Sequence, residues 1–271
     1  MHKIIPYLLS AFFLVSCKKD KTPKVSFNEN FIQLSKHKLT TYSIEKNSKY
    51  LVVFESGLGN DHSIWQLKNV AEDISVKMDV VIYDRAGYGK STIDDTPRDI
   101  DRLRIELESV VNKYAKGRKI ILVGHSLGGM IIRDFAIKNP GKIAALLFVD
   151  PSHESVLHPT QEAEDSLYES ISKIKGPNFG GTKETRQLIE DGQYMATLPN
   201  LPNVPVVVLT GMKLDAGSTG DTQELYNAHE LLKGGITDFT HISATNSGHF
   251  IMVDSPDLII KNFNQLISKL P

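Results

Sequence analysis

One stretch, Lys119 to Gly129, reading K-I-I-L-V-G-H-S-L-G-G, restricts the possible folds more than any other part of the chain. Lys119 to Val123 is almost wholly apolar and β-branched, the pattern of a strand buried on both faces of a parallel sheet. From Met130 onward, apolar residues (Met130, Ile131, Ile132, Phe135, Ala136) recur with helical spacing until Asn139-Pro140 stops them. The chain must therefore pass from strand to helix within a few residues, and Ser126 stands at that corner. Gly124, Gly128 and Gly129 remove Cβ atoms that would clash in so tight a bend. Such a corner lifts a hydroxyl out of the sheet edge, where a base can reach it. The backbone N–H of Leu127, opening the helix, then points toward an oxyanion and gains from the helix dipole. A phosphate-binding loop is the competing reading of these glycines, but the Lys-Ser/Thr pair of a P-loop does not follow.

The same strand–helix rhythm extends in both directions. Phe31 to Ile44 alternates around a polar middle and predicts two antiparallel edge strands. Tyr50–Phe54, Asp79–Tyr83, Ile143–Val149, Val204–Thr210 and Asp238–Ala244 predict further strands. Between them, helical spacing appears around Trp65, Leu67, Val70 and Ile74, and over Asp99–Lys116, Asp221–Lys233 and Pro256–Lys269. Crossovers of this length mean parallel pairing. The rhythm breaks over about 152–203, where helices are expected at Thr160–Ile174 and Lys183–Ala196 but no strand. An insertion at the strand ends beside the serine reads as a lid or cap. Its apolar residues (Leu157, Leu167, Tyr168, Ile171, Ile174, Phe179, Tyr194, Met195) are expected to face a pocket or seal the cap onto the body.

G-H-S-L-G-G after such a strand resembles the nucleophile elbow of the α/β-hydrolase superfamily, and Asp84-Arg85-Ala86-Gly87-Tyr88-Gly89-Lys90-Ser91 resembles that family's D-x-x-G-x-G-x-S loop. The resemblance implies an α/β fold: an eight-stranded, mostly parallel sheet with helices on both faces and a small helical cap. It also implies a catalytic triad in the order Ser, acid, His, with Ser126 as nucleophile. In the family, the Gly-rich loop that here reads Glu55-Ser56-Gly57-Leu58-Gly59-Asn60 supplies a second oxyanion donor from the main chain, and the matching position is Leu58.

Position selects the base among nine histidines. It must reach the serine at the carboxyl edge of the sheet, so a loop after a strand is required. His249 meets this, following Gly248 between the last strand and the last helix. His241 falls within a strand and His229 within a helix, while His125 should point away from the neighbouring hydroxyl. The acid that orients the imidazole is expected to be Asp215, after a strand in the family's usual position; Asp150, which also ends a strand, is the alternative. The resemblance thus implies a serine hydrolase working through an acyl-enzyme, with a carboxylesterase on small or medium acyl esters as the leading reading. A proline-iminopeptidase-like aminopeptidase, a lipase and a thioesterase stand behind it. A serine at the elbow argues against the haloalkane dehalogenases and epoxide hydrolases of the superfamily, which carry Asp there. A non-catalytic surface-binding lipoprotein is the rival from another class. No metal cluster or nucleotide fingerprint is seen, so neither a metal nor another cofactor is expected.

The first residues carry a separate message. Met1-His2-Lys3 precedes a mainly apolar run from Ile4 to Ser16, too short to span a bilayer comfortably, which reads as a signal peptide over 1–16. Leu14-Val15-Ser16-Cys17 resembles the bacterial lipobox, whose cysteine is lipidated, and Cys17 is the only cysteine in the chain. A lone thiol makes no internal disulfide. Residues 17–26 would be a lipidated tether and 27–271 the hydrolase domain, anchored to a membrane of the bacterial cell envelope, on its periplasmic or outer surface. The partners expected are that membrane and a small acyl substrate. With a net charge of −1 and no basic run in the body, a nucleic-acid partner is excluded.

Overall fold

The computed structural model describes residues 25–214 and 221–271. The expected signal peptide, Cys17, nearly all of the tether, and Asp215 lie outside the described residues. In chain order the elements that position the site are β1 (Asn28–Gln33), β2 (Lys38–Ile44), β3 (Leu51–Glu55), α1 (Val70–Ser75), β4 (Asp79–Asp84), α2 (Ile100–Tyr114), β5 (Ile120–Ser126), α3 (Leu127–Lys138), β6 (Ile143–Pro151), α4 (Gln161–Lys175), α5 (Gly180–Glu184), α6 (Leu188–Met195), β7 (Val206–Gly211), α7 (Thr222–Glu230), β8 (Phe239–Ala244), α8 (Ile251–Asp254) and α9 (Pro256–Ser268).

The strands form one eight-stranded sheet in the order β1-β2-β4-β3-β5-β6-β7-β8. β1 pairs antiparallel with β2, and β2 with β4; all other pairs are parallel. This is the expected eight-stranded, mostly parallel sheet, except that β2 pairs on both sides and only β1 of the antiparallel pair is an edge strand.

The central strands are buried on both faces, and alternate residues feed two cores. On β5, Ile120 and Leu122 join Leu103, Leu107, Ile131 and Phe135 of α2 and α3. Ile121 and Val123 join Val70 and Ile74 of α1 and Ile259 and Phe263 of α9 on the other face. Each such side chain, buried completely, contributes about 1.5–3 kcal/mol of hydrophobic free energy. That is why the apolar run must be central, and why its far end delivers Ser126 to the middle of the sheet's carboxyl edge.

The insertion between β6 and β7 carries α4, α5 and α6 and no strand. Met195 is fully buried in the core against the body, and Ile171, Leu188 and Tyr194 pack beside it. Ile174, expected to face inward, is instead 63% exposed. The helix expected over Lys183–Ala196 is broken into α5, a short turn at Thr185–Gln187 and α6. Its two halves answer to different anchors on the body: Glu184 meets Arg85, while Asp191 accepts the Ile100 N–H at the start of α2 at 2.9 Å. Among the described residues, no helix is long and apolar enough to cross a membrane.

Candidate active site

Ser126 ends β5 and immediately precedes α3, with φ 53° and ψ −124°. Few non-glycine residues adopt a positive φ, and one that does at a strand end is held there by its surroundings. The neighbouring glycines make the bend possible by contact rather than by dihedral. A Cβ on Gly128 would lie 2.4 Å from the Glu55 carbonyl oxygen, and one on Gly124 2.6 Å from that of Gly128. The elbow is thus wedged between its own helix and the loop after β3, as the sequence pattern implies.

Register brings the next strand's end beside it, pairing Ser126 with Pro151. Asp150, just before that proline, has φ 45°. Its Oδ2 lies 2.6 Å from Nδ1 of His249, and its Oδ1 accepts the N–H of Gly211 at 2.8 Å. The imidazole therefore meets the carboxylate of the alternative acid, at the end of β6; Asp215, the first expectation, lies outside the described residues. His249 stands in the loop between β8 and α8, as expected. Ser126, whose register partner Pro151 adjoins Asp150, and the Asp150–His249 pair thus lie at one end of the sheet, where β5, β6 and β8 finish.

Three neighbours not singled out from the sequence support this group. His125, fully buried, has its Nε2 3.0 Å from the His249 carbonyl oxygen and its ring 4.6 Å from that of His249. Since a carbonyl only accepts, Nε2 carries the proton. Burial, and then the adjacent His249, hold the His125 pKa well below the usual histidine value, so its ring is neutral. His229 of α7 donates from Nε2 to the Pro151 carbonyl at 2.6 Å, pinning the Pro151–Ser152 peptide. Ser152 places its Oγ 3.4 Å from that of Ser126, and its N–H donates to the Ser126 carbonyl at 3.0 Å. A histidine within a helix and a serine after a proline are ordinary in sequence; only the folded neighbourhood distinguishes them.

The loop after β3, where a second oxyanion donor is expected, lies against the elbow. A Cβ on Gly57 would lie 3.0 Å from the Ser126 Cβ, so the Gly57-Leu58 peptide adjoins the elbow, and Leu127 is the first residue of α3. Trp65 is completely buried against Phe54 and lies edge-on to the His125 ring.

Two clusters of acidic and histidine side chains have the spacing to hold a metal ion, His37–Asp94–Glu106 and Asp61–His62–Asp84. In the first, the guanidiniums of Arg98 and Arg102 already occupy the cation's place against the carboxylates. In the second, Asp84 already accepts from the ring and the N–H of His62 and from the Lys90 N–H.

An elbow serine, a histidine after β8 and a carboxylate on that histidine, on a sheet of this order, define a class of protein. The family profile described as "Alpha/beta hydrolase family" matches residues 52–261, and the chain belongs to that family. It is 26% identical over 215 residues to the uncharacterized protein YqjL of Bacillus subtilis, covering 79% of this chain and 81% of that protein. It is 30% identical over 127 residues to the human (lyso)-N-acylphosphatidylethanolamine lipase, a match covering 46% of this chain and only 36% of the lipase. Among solved structures, the epoxide hydrolase CorEH superposes with a TM-score of 0.70 at 14% identity, over 89% of this chain and 99% of that one.

Proposed function

We propose that this α/β-hydrolase is a serine carboxylesterase acting on small or medium acyl esters. Ser126 attacks the ester carbonyl, His249 takes the serine proton and passes it to the leaving alcohol, and Asp150 holds the imidazole and stabilises its cation. The main-chain N–H groups of Leu58 and Leu127 receive the oxyanion. Water then enters, His249 removes its proton, and attack on the acyl-enzyme releases the acid.

The observation that carries this reading is the 2.6 Å bond between His249 Nδ1 and Asp150 beside a serine held at φ 53°. The bond leaves Nε2 as the basic nitrogen, and the strained serine marks the elbow as a place where folding stability is sacrificed for geometry. An aminopeptidase would need a free carboxylate for the substrate amine. Of the four cap acids that could supply it, Glu154, Glu162, Glu164 and Asp165, three are already engaged: Glu154 with Arg133, Asp165 with Arg186, and Glu164 with the Ile189 N–H, while Glu162 is exposed on α4. That engagement favours an ester over a peptide.

A fluorophosphonate probe should label the folded protein, and Ser126→Ala should abolish both labelling and hydrolysis of chromogenic short-acyl esters. A folded wild type that neither reacts with the probe nor cleaves any ester of the panel would leave a binding lipoprotein in its place. The same proposal includes lipidation of Cys17, with residues 17–26 as a tether to an envelope membrane. Metabolic labelling with an alkynyl fatty acid should mark the wild type and not Cys17→Ser; equal labelling of both would refute the anchor.

A further inference from the structure

We propose that Arg85, braced by Glu184 of the cap, is the positioning residue of the oxyanion hole. This inference rests on the hydrolase reading above. Arg85 follows β4, is 2% exposed, and directs its guanidinium at the loop after β3. Nη1 donates to the Ser56 carbonyl at 2.6 Å and to Glu55 Oε1 at 2.8 Å, and Nη2 donates to the Gly57 carbonyl at 3.1 Å. Two successive carbonyls of the loop are therefore held by one planar group.

The consequence follows from peptide geometry. In a trans peptide the C=O and the N–H point in opposite directions, and the described residues contain no cis bond. Holding the Gly57 carbonyl toward Arg85 turns the Leu58 N–H away from it. The side facing away is the elbow, since Gly57 approaches Ser126 closely enough that a Cβ there would sit 3.0 Å from the serine Cβ. Gly57 permits this approach but brings backbone freedom with it, and Gly59, at φ 83°, brings more. The direction of the Leu58 N–H has to be imposed from outside the loop.

The cap completes the clamp. Glu184, at the end of α5, accepts from Arg85 Nε at 2.8 Å and from Nη2 at 3.0 Å, a two-pronged pairing that fixes the plane of the guanidinium. Tyr88 donates to Glu184 at 2.5 Å while its hydroxyl oxygen accepts the Gly59 N–H at 3.0 Å. Both ends of the Gly57–Gly59 turn thus refer back to one cap carboxylate. A lysine at 85 would keep the charge but not the planar fork that serves both carbonyls and Glu184 together.

The test uses a trifluoromethyl ketone, which adds to an active-site serine and places an oxyanion where the reaction does. Arg85→Lys should lower kcat and weaken ketone inhibition by the same factor, about 100-fold, with KM changed little, the size expected for loss of one oxyanion donor. Glu184→Gln, which preserves shape but weakens the brace, should lower both by about 10-fold, and it decides the matter alone if Arg85→Lys does not fold. Unchanged ketone affinity in the folded variants would overturn the proposal. So would a loss confined to melting temperature and active-site titre, with kcat per active site intact. A wild type inert to the ketone and to fluorophosphonate would instead defeat the hydrolase reading itself.

Discussion

Replacing Asp150 by asparagine separates what a carboxylate does for the imidazole from what any side chain of that shape would do. The wild-type group has its two oxygens assigned: Oδ1 accepts the Gly211 N–H at 2.8 Å, and Oδ2 lies 2.6 Å from His249 Nδ1. In Asp150→Asn the Gly211 N–H still demands an acceptor, so the amide oxygen stays there and the NH₂ turns to the histidine. An amide N–H facing Nδ1 requires a lone pair on that nitrogen, which moves the ring proton to Nε2. Nε2 then cannot accept the serine proton. A wrong tautomer of this kind lowers kcat about 10⁴-fold where the geometry is otherwise preserved, or about 5.4 kcal/mol of transition-state stabilisation. The assay is steady-state hydrolysis of a chromogenic ester, alongside the rate of fluorophosphonate labelling, with Asp215→Asn as the comparison. Retention of more than a tenth of wild-type activity in Asp150→Asn, or an equal loss in Asp215→Asn, would refute the assignment of the acid.

Two further substitutions test the energetics of the fold around the site. Ser126→Gly should abolish activity yet raise stability by about 1–2 kcal/mol, because glycine adopts φ 53° and ψ −124° without the strain a Cβ incurs; thermal unfolding checks this, and Ser126→Ala should show no such gain. Asp191, buried in the cap beneath the start of α2, has its pKa pushed up from 3.8 to about 8, chiefly by burial. A folded-state pKa above the unfolded one means its contribution to stability is complete below about 3.8 and is lost as pH rises through 8. Asp191→Asn, whose amide oxygen still accepts the Ile100 N–H, should therefore leave stability unchanged near pH 4 and increase it toward pH 9. The ceiling is about 6 kcal/mol. Denaturant unfolding at the two pH values measures it, and an equal effect at both would rule out the ionisation argument.

Much of the architecture was legible because its signals are local. An apolar run such as Ile120–Val123 followed at once by glycines and a helical stripe has few structures open to it, and repetition of that rhythm dictates parallel pairing. The places of Ser126 and His249 follow, since each lies within a few residues of a strand end. Chain order could not choose the acid. Asp150 and Asp215 are both placed at or after strand ends in the sequence, and the contact of Asp150 with His249 rests on a positive φ at Asp150 and on a Gly211 N–H that meets it only after β6 and β7 have paired. Nor could periodicity show that the second cap helix would break, because Glu184 and Asp191 are drawn to separate points on the body. Arg85 and Glu184 stand 99 positions apart, and their pairing exists only where the cap folds back over the loop beside the serine. Local sequence determines which elements form and which face each buries, through hydrophobic period and backbone sterics. Which charged groups share a low-dielectric interior, and so which carboxylate a histidine or an arginine meets, is decided by the packing of distant segments alone.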